Sequence, residues 1–175
     1  MAKENFVRLE DMSEVERRSW ATLIVDVAVF IWFLGKMTPG FNFFNNPRLS
    51  ETGASSLVGI YVGVIIVTII LHAVIASIFA ARAGEDKGEK DERDVDISRK
   101  GAAAGFWWVT VGINILAGAL LLQYAAASGA ETFMGGLGGS FPVIEPPYMF
   151  FALMVLAFVG DIVKNAVMVI AYRGE

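Results

Sequence analysis

The chain has 175 residues and a formal net charge of -4, and 55% of its residues are hydrophobic. Soluble domains usually contain roughly 45–50% apolar residues, and a mean hydropathy of +0.57 points to the bilayer instead. The negative charge argues against nucleic-acid binding, because phosphate neutralisation needs a basic surface. Cysteine is absent and there is one histidine, which excludes disulfides, thiolate metal sites and a bis-histidine haem site within one chain. We expect no metal and no cofactor.

Four long apolar runs dominate the sequence, and each is long enough to cross roughly 30 Å of hydrocarbon as a helix. The strands of a membrane barrel would be about half as long and would alternate in polarity. The sequence therefore predicts a single all-α membrane domain, a bundle of four transmembrane helices embedded in the lipid bilayer. The predicted helices cover about residues 20–37, 57–81, 102–127 and 148–172.

Lysine and arginine are distributed unevenly among the segments outside these helices. The N-terminal segment and the central loop, residues 82–101, are rich in both, whereas the loop 128–147 contains neither. An excess of Lys and Arg marks the cytoplasmic side of a membrane. The sequence therefore predicts that both termini and the central loop are cytoplasmic, and that the loops 38–56 and 128–147 are extracytoplasmic.

The central loop is the most charged stretch, with seven acidic residues interleaved among six basic ones. One interpretation is a solvated loop whose basic residues fix the topology. The other is a docking or regulatory surface for a protein partner. The carboxylates do not follow the spacing of a calcium-binding loop, and the neighbouring cations neutralise them, so we expect no metal site. The most distinctive part of the loop is the motif that precedes the third helix, Asp91, Glu92, Arg93 and Asp94.

This motif, followed by Ile97 and an aromatic-rich helix start, resembles that of a group of small four-span bacterial membrane proteins of unknown function. Those proteins carry an Asp-Glu-Arg-Asp/Glu motif after the second helix. Further similarity lies in Glu16-Arg17-Arg18-Ser19-Trp20, His72-Ala73-Val74-Ile75-Ala76 and Tyr172-Arg173-Gly174. The resemblance covers most of the helical part of the chain. It implies a location in the bacterial inner membrane, and it implies neither an activity nor a catalytic residue.

Polar residues recur at helical spacing inside the predicted spans. Residues three or four apart share one face of a helix, and a charge that faces lipid costs about 2.5–3.5 kcal/mol or more. We therefore expect the ionisable residues to point into the bundle, with Lys164 paired to Asp26 or Asp161. The resulting candidate site, called the polar belt below, comprises Asp26, His72, Asn114, Asp161 and Lys164.

The polar belt has two interpretations. In the first, its ion pair fixes the register of the helices and has no further role. In the second, the belt is a proton or ion relay, with His72 as the group that titrates most readily near neutral pH.

Two pairs of glycines at a spacing of four, Gly59 with Gly63 and Gly101 with Gly105, also lie in or beside the spans. Such pairs let helix backbones approach closely, although glycine is frequent enough in membrane helices for the spacing to arise by chance. If the pairs are packing faces, they predict contacts beyond a single bundle and hence a homo-oligomer.

The sequence contains none of the common nucleotide-binding, serine-hydrolase or zinc-protease motifs, and we expect no enzymatic activity. The first hypothesis is a non-enzymatic accessory protein, sensor or assembly partner that acts through its cytoplasmic loop and helix faces. The alternative is a small proton- or ion-linked transporter or channel that uses the polar belt.

Overall fold

The computed structural model describes residues 12–38, 53–82, 91–127 and 144–174. These residues form four α-helices and no strand, which confirms the predicted fold class. We label the helices α1 (Glu14–Met37), α2 (Ala54–Arg82), α3 (Glu92–Ala127) and α4 (Pro146–Arg173). Each includes a span long and apolar enough to cross a membrane. Most of the two predicted extracytoplasmic loops, and residues 83–90 of the central loop, lie outside the described residues.

The starts of α1 and α4 follow from their local sequences. The Ser13 hydroxyl accepts a hydrogen bond of 3.1 Å from the backbone N–H of Glu16, which satisfies one of the free donors at the start of α1. The acidic side chains of Glu14 and Glu16 in the same turn complement the helix dipole. Helix α4 begins with Pro146, whose missing N–H and fixed φ suit the first helical position.

Helix α3 begins at Glu92, inside the segment that hydropathy assigns to the loop 82–101. Its first exposed turns are held by ion pairs: Asp96 lies 2.8 Å from Arg99 and 2.8 Å from Lys100. Pairs at this spacing stabilise a helix that is in contact with water. Hydropathy alone cannot detect such a turn, because it detects only the apolar part of a helix.

The helices pack in the order α2, α1, α4, α3, with the largest contact between α3 and α4. The buried core lies between α1, α2 and α4, towards the C-terminal end of α1. Its centre is Phe33, which is 0% exposed, and whose ring centroid lies 5.5 Å from that of Phe158 and 5.9 Å from that of Phe151. These separations are typical of favourable aromatic pairs. We call this cluster, with Val29 and Val64, the aromatic core.

Helices α3 and α4 meet through glycine. A Cβ atom added at Gly105 would stand 2.9 Å from the backbone carbonyl oxygen of Gly160, and one added at Gly101 would stand 2.7 Å from that of Lys164. In the opposite direction, a Cβ at Gly160 would lie 2.7 Å from the Val109 side chain. The two backbones are therefore too close for any larger residue at these positions without a shift.

The other predicted glycine pair is placed differently. A Cβ at Gly59 would meet nothing within 4 Å, and one at Gly63 would lie in ordinary contact with the Trp32 ring, at 3.6 Å. Within the described part of the chain, Gly59 therefore takes no part in helix packing.

Candidate functional site

A polar cavity of about 580 Å³ lies among the N-terminal half of α1, the C-terminal half of α4 and one residue or more from each remaining helix. By the topology that the Lys and Arg distribution predicts, this is the cytoplasmic half of the protein. We call it the polar cavity. It is lined by Val15, Arg18, Ser19, Thr22 and Asp26 of α1, His72 of α2, Ser98 and Ala102 of α3, and Asp161, Lys164, Asn165 and Met168 of α4.

Asp26 is the most deeply placed ionisable residue of the cavity, and it is only 6% exposed. One carboxylate oxygen lies 3.3 Å from Nε2 of His72. The other accepts a hydrogen bond of 3.0 Å from the side-chain amide of Asn165. A buried carboxylate is costly unless it is paired and hydrogen-bonded. Because the partners come from α2 and α4, three helices are joined at this one side chain.

The hydrogen-bonding pattern of His72 determines where a proton is needed. Its Nδ1 lies 2.9 Å from the backbone carbonyl oxygen of Thr68, and a carbonyl can only accept, so Nδ1 carries the hydrogen. In a neutral ring Nε2 would then be a bare acceptor, yet it faces a carboxylate oxygen of Asp26, which is another acceptor. The contact becomes favourable when one proton is shared, either on the imidazole or on the carboxyl group. The geometry of Asp26 and His72 thus defines a site for one proton.

Two features of the surroundings suit proton exchange at this site. The His72 side chain is 38% exposed and lines the polar cavity. The Asn165 amide also donates to the backbone carbonyl oxygen of Asp161, at 3.0 Å. Both amide hydrogens are then directed at acceptors, which fixes the amide orientation towards Asp26.

Asp161 and Lys164 line the cavity with exposed side chains. The ion pair that we expected between Lys164 and Asp26 or Asp161 is not formed among the described residues; His72 takes that place beside Asp26. Asn114, the fifth residue of the predicted polar belt, lies apart from the cavity. Its exposed side chain donates to the backbone carbonyl oxygen of Thr110, at 2.8 Å.

Arg18 and Ser98 also line the cavity, although neither belongs to the predicted polar belt. Arg18 could have been found from its spacing, since it precedes Thr22 by four residues and Asp26 by eight and so shares their face of α1. Ser98 had no such signal, because it lies in the part of α3 that hydropathy places in a loop.

In the motif Asp91-Glu92-Arg93-Asp94 the last two residues contact α4, and the first two are exposed. The Tyr172 hydroxyl donates to the Asp94 carboxylate at 2.5 Å. The Arg93 guanidinium donates to the Tyr172 backbone carbonyl at 3.3 Å and lies 5.8 Å from the centre of the Tyr172 ring. Arg93 and Asp94 therefore join the start of α3 to the end of α4. Asp91 and Glu92 are exposed.

The fold and this site define the class of the molecule: a four-helix membrane protein with an ionisable cluster inside its spans. No protein-family model, curated protein or solved structure matches the chain. The resemblance to small bacterial four-span proteins therefore stays a prediction. Within the described ranges, no group of three or more His, Cys, Asp or Glu side chains is placed to hold a metal ion.

Proposed function

We propose that the protein is a small proton-linked transporter or channel of the bacterial inner membrane, with both termini in the cytoplasm. The observation that carries the proposal is the Asp26–His72 contact, whose geometry requires one proton, in a cavity that reaches the half-exposed imidazole. Ionisable residues inside membrane spans are costly and commonly mark ion and proton pathways.

A second pocket extends from the same residues away from the polar cavity. It has a volume of about 240 Å³, lies between α2 and α4, and shares Asp161 with the polar cavity. Thr68, whose carbonyl orients His72, also lines it, and the Thr68 hydroxyl is buried with no partner among the described residues. The rest of the pocket lining is apolar, so Asp161 is the group by which the proposed path would leave the polar cavity.

Purified protein in liposomes containing a trapped pH-sensitive dye tests the proposal. With a potassium diffusion potential imposed by valinomycin, we expect proton entry well above that of empty liposomes. Asp26→Asn should reduce the flux to the empty-liposome rate, because an amide keeps the shape of the side chain but does not share the proton with His72. The matched control is Asn114→Ala, a polar position within a span but outside the cavity, and it should conduct normally. Wild-type flux equal to that of empty liposomes would exclude proton conduction.

The second candidate function is a non-enzymatic sensor, accessory protein or assembly partner. The aromatic core favours it, because Phe33, Phe151 and Phe158 fill the bundle beyond Asp26 and leave the polar cavity open at one side. A site of this shape can register cytoplasmic pH or a ligand without transport, and Asp91 and Glu92 would then face a protein partner. The large exposed apolar surfaces of α2 and α3 would contact lipid or a second copy of the chain.

A further inference from the structure

We propose that the polar cavity binds a small anion from the cytoplasm, and that it binds this anion more tightly when the Asp26–His72 pair holds its proton. This inference rests on the proposed function, since it names the class of solute that would accompany the proton. The ligand class is a carboxylate, sulfonate or phosphate group on a molecule of a few heavy atoms.

Two cationic side chains line the cavity, one from α1 and one from α4. Arg18 on α1 and Lys164 on α4 both have exposed side chains there, and neither lies within ion-pair distance of a carboxylate in the described part of the chain. An arginine fork and a lysine ammonium are the groups that bind carboxylate and phosphate oxygens best.

The buried carboxylate of the cavity already has partners on both oxygens. Asp26 is bound by His72 on one oxygen and by Asn165 on the other. Thr22 and Ser98 add hydroxyl groups to the lining of the cavity. A volume of about 580 Å³ leaves room for a small anion together with water.

The net charge of the cavity changes when the Asp26–His72 pair gains or loses its proton. The charged groups that face it are Arg18 and Asp26 on α1, His72 on α2, and Asp161 and Lys164 on α4, while α3 contributes only Ser98 and Ala102. With the Asp26–His72 pair deprotonated, two positive and two negative charges cancel. With one proton on the pair, the cavity has a net charge of +1. By linkage, a proton that strengthens anion binding is itself bound more tightly when the anion is present.

The experiment is a calorimetric titration of methanesulfonate, whose charge is constant in this pH range, into the full chain in phosphatidylcholine nanodiscs. We expect saturable binding that is about fivefold or more tighter at about pH 5.5 than at about pH 8. Lys164→Met should weaken binding by roughly tenfold, the effect of a lost charged hydrogen bond. The matched control is Lys36→Met, in the last turn of α1, away from the cavity, which should bind as the wild type does.

Weaker binding in a variant could also result from misfolding, so one variant is chosen that should bind the anion more tightly. Asp161→Asn removes a negative charge from the cavity, so it should tighten binding at about pH 8, and a damaged protein would not. His72→Ala should remove the dependence on pH. No saturable binding, unchanged binding in Lys164→Met, or weaker binding in Asp161→Asn would each overturn the proposal.

Two further comparisons show whether the anion is a lipid headgroup or a soluble molecule, and whether anion binding and proton transport stand or fall separately. If the site takes lipid headgroups, the protein in phosphatidylglycerol nanodiscs should no longer bind methanesulfonate. Native mass spectrometry should then show phosphatidylglycerol retained by the wild type and lost from Lys164→Met. A site for soluble anions would be unaffected by that lipid. Proton flux without anion binding overturns this inference and leaves the proton pathway standing; anion binding without proton flux overturns the transport role and keeps the site.

Discussion

The two halves of the bundle share α1, α2 and α4 but differ in their chemistry. On α1, one face carries Ser19, Thr22 and Asp26 and then, further along, Val29 and Phe33. The first part lines the polar cavity, where side chains from all four helices meet around charges and hydrogen bonds. The second part enters the aromatic core, which consists of aromatic rings and aliphatic groups. The boundary lies within one helical turn, between Asp26 and Val29.

This difference suggests a division of roles. Without a hydrophobic drive between helices in lipid, close packing and interhelical hydrogen bonds hold a membrane bundle together. The aromatic core supplies the packing for α1, α2 and α4, and it allows the neighbouring polar half to keep charged side chains and open volume. Changes in the aromatic core should therefore reduce stability, and changes in the polar cavity should reduce function with smaller effects on stability.

The largest effect is expected in the aromatic core. Phe33→Ala should lower the free energy of unfolding by about 3–5 kcal/mol, because a fully buried ring leaves a void that its neighbours cannot fill. Unfolding in mixed detergent micelles, followed by circular dichroism, measures this. The matched control is Phe106→Ala, since that ring is 66% exposed and should contribute little. Equal losses for the two rings would remove the aromatic core as the source of stability.

The next effect is expected where α3 approaches α4. Gly105→Ala places a methyl group 2.9 Å from the Gly160 carbonyl oxygen, so the helices must separate. Overpacking of this kind costs about 1–3 kcal/mol. Gly118→Ala on the same helix meets nothing within 4 Å, and it should be neutral or slightly stabilising because alanine favours helix. The same unfolding assay compares the two, and a loss in both variants would contradict the close approach.

A comparable effect on stability, with a larger one on function, is expected at Asn165. Asn165→Ala removes the hydrogen bonds to Asp26 and to the Asp161 carbonyl, and a buried carboxylate that loses a partner costs about 1–3 kcal/mol. Proton flux should fall as well, because Asp26 is no longer held towards His72. Asn114→Ala serves as the control for both assays. Reduced stability with normal flux would mean that Asn165 has a structural role alone.

The sequence predicted the number, order and approximate extent of the helices, because each span is an apolar run that hydropathy detects directly. From the cost of charge in lipid it also predicted the polar belt, of which Asp26, His72, Asp161 and Lys164 line one cavity and Asn114 does not. The partner of Asp26 was not predictable. Choosing His72 over Lys164 depends on the relative rotation of α1, α2 and α4, which is set by packing in the aromatic core and which no spacing within one helix encodes.

The start of α3 was missed for a related reason: its first turns are stabilised by ion pairs and by a contact 78 residues away in sequence, between Tyr172 and Asp94. This contact gives the smallest expected effect. Tyr172→Phe keeps the ring beneath Arg93 and removes only the hydroxyl that donates to Asp94. A hydrogen bond to a charged group contributes about 1.5–3 kcal/mol when buried. Here the contact is partly exposed, so we expect about 1 kcal/mol.

Because that loss is local, it should appear as faster amide hydrogen exchange in residues 92–100 rather than as lower global stability, with proton flux unchanged. Tyr124→Phe is the matched control, since that tyrosine is exposed near the other end of α3. If exchange in residues 92–100 is unaltered in Tyr172→Phe, the start of α3 is held by its own ion pairs. If proton flux changes as well, the end of α4 is coupled to the polar cavity. Tyr172 would then count among the functional residues of this half of the bundle.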